Sequence, residues 1–104
     1  VILICRAKRF LDCRIALDHA RLRAIDPNLT EESLAEIERQ LSVVPRICAG
    51  DRTAGPIAAL NQGQRWHWLT APASTVVQPS PVHTGLTGDP AATLDRLFAT
   101  LVDN

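Results

Sequence analysis

Residues 30–45 read TEESLAEIERQLSVVP and carry the clearest helical pattern in the chain. Thr30 is suited to cap a helix, and the acidic pair after it favours the positive end of the helix dipole. Pro45 lacks the amide hydrogen that a continuing helix needs. The apolar side chains fall on one stripe: Leu34, Ile37, Leu41 and Val44. The sequence therefore predicts an amphipathic helix that begins after Thr30 and ends at Pro45.

Two strands and a short helix are predicted before this helix. The β-branched run Val1–Cys5 is typical of a buried strand, and Arg9–Ile15 alternates more weakly. The simplest connection between them is a hairpin. A short helix is predicted over Asp18–Ile25, with Asp18 as its cap.

The second half of the chain predicts a loop, a strand pair and a closing helix. The loop runs over Arg46–Gln64, and the strands are expected at Arg65–Leu69 and Thr75–Gln78. Asp89 is the expected cap of the last helix and Pro90 its first residue. Together the elements predict an α+β fold, in which two main helices pack on one face of a small antiparallel sheet.

Length and composition bound the class of protein. A chain of 104 residues with 46% hydrophobic and 21% charged residues is expected to form one domain, residues 1–104. The longest apolar run, Val1–Cys5, is far shorter than the ~20 residues of a membrane-spanning helix, and no signal peptide is visible, so a cytoplasmic location is expected. The three cysteines are far apart and lack zinc spacing, which predicts free thiols, no metal and no cofactor.

The charges balance, with 11 basic and 11 acidic residues. This disfavours nucleic acid as a partner, because such binding depends on an excess of basic charge. The basic residues of the first quarter and the acidic residues of the next segment are expected to neutralise each other.

His67 lies between Trp66 and Trp68. On a strand, this alternation would place the imidazole on the face opposite the two indoles. His67 is then either a binding or acid/base residue or a solvent-facing side chain beside two core tryptophans.

The string Gln78–Gly85 contains two rigid prolines and four residues whose side chains have hydrogen-bonding groups. Such a loop suits a ligand or partner site, or it satisfies its own backbone through Ser80 and Thr84. Ser80 lacks the GxSxG pattern of a hydrolase. Cys48 is either a nucleophile paired with a histidine or a buried inert thiol. The residues proposed for ligand or partner binding are Arg46, Arg65, His67, Gln78, Ser80, His83 and Thr84, and none is proposed as catalytic.

Five strings carry a resemblance. They read PRICAG, GPI, RWHWL, APASTV and QPSPVHTG, at residues 45–50, 55–57, 65–69, 71–76 and 78–85. Together they resemble the bacterial domain-of-unknown-function family 3037, over essentially the whole chain. The resemblance implies a further strand before Val1–Cys5 and no established activity. Family members are often encoded near a kinase-like protein of the toxin type, which implies a protein partner.

Two functions follow as hypotheses. The first is a small binding or regulatory module, not an enzyme, that docks a protein partner through an apolar centre with a polar rim. The second is a small enzyme or nucleotide-binding protein with a pocket around Arg65, His67 and His83, whose side chains must converge on one cleft. A homodimer is a further expectation, because an incomplete sheet leaves an edge that a neighbouring chain can fill.

Overall fold

Two short strands near the start of the chain form an antiparallel hairpin, as predicted. The computed structural model describes residues 1–71, 80 and 82–101. Strand β1 is Ile2–Cys5 and strand β2 is Phe10–Cys13, with Leu3 opposite Asp12. A single turn of 3-10 helix joins them, and Arg9 closes it with a φ of 51°.

The left-handed backbone of Arg9 makes it a site where glycine is expected to stabilise the fold. An L side chain is strained at this φ, whereas glycine adopts it freely. We expect Arg9→Gly to raise the free energy of unfolding by about 0.5–1 kcal/mol in urea denaturation. Lys8→Gly is the control, because Lys8 has no positive φ. That variant should lower stability, and an equal response of the two variants would contradict the interpretation.

The first two helices begin where the sequence predicts. Helix α1 is His19–Ile25, and the Asp18 carboxylate accepts a hydrogen bond from the Arg21 amide. Helix α2 begins at Glu31, and the Thr30 hydroxyl accepts from the Ser33 amide at 3.1 Å.

The predicted end of α2 at Pro45 is wrong, because the helix spans Glu31–Ala49. Pro45 removes one ladder hydrogen bond, at a cost of about 3 kcal/mol. Ile47 and Cys48 lie beyond it, only 2% and 3% exposed, and burying such side chains offsets a cost of that size. Gly50 then ends the helix in the left-handed conformation.

The predicted loop contains two single turns of 3-10 helix, Arg52–Ala54 and Pro56–Ala59. Asp51 caps the first through the Thr53 amide at 3.0 Å. Ala58 of the second is buried in the core. These turns carry the chain from the end of α2 into the next helix.

The predicted strand at Arg65–Leu69 is wrong, because these residues belong to helix α3, Gln62–Thr70. Asn61 and Gln64 form a capping box, in which the Asn61 side chain accepts from the Gln64 amide at 2.8 Å and the Gln64 side chain accepts from the Asn61 amide. This local signal outweighs the strand preference of the tryptophans. The second predicted strand, Thr75–Gln78, lies outside the described residues.

The last helix, α4, is Pro90–Leu101, as predicted, and the Asp89 carboxylate accepts from the Ala92 amide at 3.1 Å. It contacts both strands of the hairpin, and its Leu94 is completely buried. Helix α2 packs against β2. The buried cluster they share with the loop and α3 consists of Leu11, Cys13, Ile47, Cys48, Ala58 and Leu69.

The prediction of an α+β fold with a small antiparallel sheet is therefore confirmed, with β1 and β2 as its strands in the described part of the chain. None of the helices that the structure describes is long and apolar enough to cross a membrane.

Candidate functional site

Arg65 is a buried anchor between α3 and the end of α2. It is 8% exposed, and its Nη1 donates to the carbonyl oxygens of Ile47 and Cys48, each at 2.8 Å. These carbonyls belong to the last turn of α2, where the helix dipole is negative and acceptors lack partners within the helix. Arg65 therefore supplies hydrogen bonds to these carbonyl oxygens and offsets the negative end of the α2 dipole.

Gly50 leaves the space that this arginine occupies. Its φ is +73°, and a Cβ atom at this position would lie 3.1 Å from Arg65 Nη1. The residue is thus required twice, once for the left-handed turn and once for the close approach of the guanidinium. The Nε atom of Arg65 is buried and has no hydrogen-bond partner among the described residues.

Arg46 lies on the exposed side of the same helix end. Its Nε lies 3.3 Å from an Asp51 carboxylate oxygen, and its Nη2 donates to the Thr53 hydroxyl at 2.9 Å. Hydrogen bonds from Thr53 and then from Arg46 lower the pKa of Asp51 below its usual value. Arg46 is therefore engaged in a local network that holds the turn after α2.

His67 and Arg65 do not converge. On a helix, positions two apart point about 200° away from each other. Accordingly Arg65 and Leu69 face the core while His67 is exposed. The expectation that Trp66 and Trp68 share one buried face is wrong for the same reason: Trp66 packs against the core cluster, whereas Trp68 is 48% exposed.

The remaining candidates lie on the segment before α4. Gln78 is outside the described residues. Ser80 is exposed, and so are His83 and Thr84, which lie in a stretch without helix or strand. The side chains of His83 and Thr84 form no hydrogen bond within the part of the chain that the structure describes. His83 and Thr84, which are adjacent in sequence, thus both lie at the surface.

Two apolar residues of this stretch were missed by sequence reasoning. Val82 is 52% exposed and Leu86 is 104% exposed, more open to solvent than any other large apolar side chain described. The sequence prediction rested on the polar residues around them. The usable signal was their spacing, because residues four apart and separated by Thr84 lie on the same side of an extended chain.

Cys48 is an inert buried thiol in this fold. A hydrogen bond with Cys13, followed by burial, raises the pKa of the Cys48 thiol well above its usual range, so the nucleophilic thiolate is disfavoured. His67 and His83 are both exposed and neither bonds to it. All three cysteines are free.

Fold and surface define a small α+β protein with an arginine-anchored helix end and an exposed apolar segment before helix α4. The chain belongs to the family described as a protein of unknown function, DUF3037, whose model matches residues 1–102. This confirms the resemblance drawn from its sequence strings. No curated protein and no solved structure matches the chain.

Proposed function

We propose that this protein is a small binding module that docks a protein partner through residues 82–86, called here the 82–86 segment. The observation that carries the proposal is the exposure of its apolar side chains, 52% for Val82 and 104% for Leu86. A single exposed leucine is ordinary, but two exposed apolar side chains four residues apart, on the same side of one irregular segment when it is extended, suit recognition of the segment as a peptide.

The chemistry of the segment suits an extended interaction. Bound as a strand, it would direct Val82, Thr84 and Leu86 to one side and His83 to the other. The apolar pair would then fill pockets of the partner, while its backbone amides and carbonyls pair with a sheet edge. The polar side chains would form the rim.

Helix α4 fixes one end of this segment. The Asp89 amide donates to the Thr87 hydroxyl at 3.1 Å, and the Thr87 and Thr93 hydroxyls are 2.6 Å apart. Leu86 is therefore presented from a rigid base, and such anchoring reduces the entropy lost on binding.

The partner that we propose is a kinase-like protein, as the family resemblance implies. We propose that the two proteins meet in the cytoplasm. The alternative of an enzymatic or nucleotide-binding pocket gains no support from the geometry. It requires Arg65, His67 and His83 to converge, and Arg65 is turned into the core while His67 faces outward.

The test is a binding experiment with matched apolar-to-acidic variants. We expect the immobilised wild-type protein to retain a co-expressed kinase-like protein from the native host. Leu86→Asp should weaken this binding at least about tenfold, as for the loss of an apolar anchor. Ile25→Asp is the control, because Ile25 is 83% exposed on α1. Affinities would be measured by calorimetry. Equal affinity of Leu86→Asp and wild type would refute the segment as the docking site.

A further inference from the structure

The turn between β1 and β2 carries exposed cations at Arg6, Lys8 and Arg9, and residues 6–9 are called here the basic loop. None of these cations forms an ion pair with a residue that the structure describes. Other cations of the first quarter do have such partners: Arg14 pairs with Asp12, Arg21 with Asp18 and Arg23 with Glu31. The positive charge of the basic loop is therefore left uncompensated in the described part of the chain.

The backbone of the basic loop is held in place while its charged side chains stay in solvent. The Arg9 amide donates to the Arg6 carbonyl at 3.2 Å, which closes the turn. The Arg9 carbonyl accepts from Gln62 Nε2 at 2.8 Å, so the loop is fastened to the start of α3. The first turn of α3 contains no acidic residue to neutralise the loop from this side. Cations that are brought together in this way repel each other, and an anion bound between them offsets that repulsion.

Arg9 keeps a backbone conformation in which glycine would be more stable. Its φ of 51° lies in the left-handed region. Residues other than glycine that hold such a conformation are concentrated at binding and catalytic sites. The Arg9 side chain forms no hydrogen bond or ion pair with the residues that the structure describes. Polar contacts within this part of the fold therefore do not account for an arginine at this position.

We propose that the basic loop binds an acidic peptide segment of a protein partner, through ion pairs of Arg6, Lys8 and Arg9 with aspartate or glutamate side chains. Arginine suits this role because its planar fork of donors matches a carboxylate. An acidic protein segment fits better than nucleic acid, because the chain as a whole is neutral and so small a cluster gives few phosphate contacts. The inference does not depend on the partner proposed for the 82–86 segment.

Fluorescence anisotropy with a labelled peptide of alternating glutamate and serine tests this binding. At low ionic strength we expect the wild-type chain to bind it with a Kd of about 10–300 µM. The affinity should fall at least about tenfold in about 0.5 M salt, because exposed charges are screened. No binding of the glutamate peptide, or equal binding of a glutamine-for-glutamate peptide, would overturn the proposal. Tighter binding of an oligothymidylate with the same number of charges would also overturn it and would assign the loop to nucleic acid.

Two double variants with the same change in net charge locate the site. Arg6→Gln combined with Lys8→Gln should weaken binding of the glutamate peptide at least about fivefold. The matched control is Arg52→Gln combined with Arg96→Gln, since both arginines are exposed and form no ion pair with the described residues. It should change the affinity by less than about twofold. Equal weakening by the two variants would overturn the proposal, because binding would then depend on overall charge.

Arg9→Gly separates binding from stability. This variant is expected to be more stable than the wild type, whereas its affinity for the glutamate peptide should fall about two- to fivefold. Opposite changes in stability and affinity are expected when a strained position serves binding. Unchanged affinity of Arg9→Gly would overturn the proposal. Leu86→Ser alters the 82–86 segment without changing the charge and should leave this affinity unchanged, so failure of the basic loop and failure of the docking segment are distinguished.

Discussion

Replacing Arg65 with methionine is expected to lower the free energy of unfolding by about 2 kcal/mol. The buried Cys48 carbonyl would lose the one side-chain donor that it has among the described residues, and such an unsatisfied group costs about 1–3 kcal/mol. The C-terminus of α2 would also lose the cation that offsets its dipole. The substitution also removes the buried, unpartnered Nε atom, which should restore about 1 kcal/mol of the free energy of unfolding.

Urea denaturation followed by far-UV circular dichroism is the measurement. Arg46→Met is the matched control, because Arg46 lies at the same helix end but its ion pair with Asp51 is exposed. Its effect should be several-fold smaller, as for other surface pairs. Arg65→Lys should fall between the two, since a lysine keeps the charge but loses the fork of donors. Equal losses for Arg65→Met and Arg46→Met would refute the anchoring role.

Leu94→Ala is expected to cost more, about 3–4 kcal/mol. Leu94 lies on the buried face of α4 and is 0% exposed. Its truncation therefore leaves a cavity in addition to removing buried apolar area. Leu101→Ala on the same helix removes the same atoms from a side chain that is 69% exposed, and its effect should stay below about 0.5 kcal/mol.

Thermal unfolding of both variants measures this difference. We also expect the Leu94 variant to lose protection of the α4 amides before those of α2 in hydrogen exchange, because α4 would become the least stable helix. A loss below about 1 kcal/mol would show that α4 does not depend on this contact.

Elements with strong local signals were predictable from sequence, and elements decided by distant contacts were not. The hairpin, α1, the start of α2 and α4 each have a cap, a turn or a clear apolar period. The helix that contains Arg65 was mistaken for a strand because tryptophans favour strands and Trp-His-Trp fits both periods. The spacing of Asn61 and Gln64 would have corrected it.

The end of α2 and the role of Arg65 depend on each other, which explains why both were missed. Pro45 is a sound stop signal when only its neighbours are considered. The helix continues because Ile47 and Cys48 find a buried environment and because an arginine 17 residues after Cys48 reaches its carbonyl. An arginine is also among the residues least expected in a core. Of the candidate site, the sequence indicated the region of His83 and Thr84 but not the apolar residues beside them.

The contact between α4 and β1 has a consequence for synthesis in the cell. It joins the first strand of the structure to its last helix, which are separated by more than eighty residues. A ribosome releases the chain from the N-terminus at about 5–20 residues per second, so the hairpin emerges seconds before the helix that covers it. During that interval the apolar face around β1 is uncovered and prone to association. The hairpin is therefore covered only once α4 has emerged, and truncation before α4 is expected to yield aggregation-prone chains.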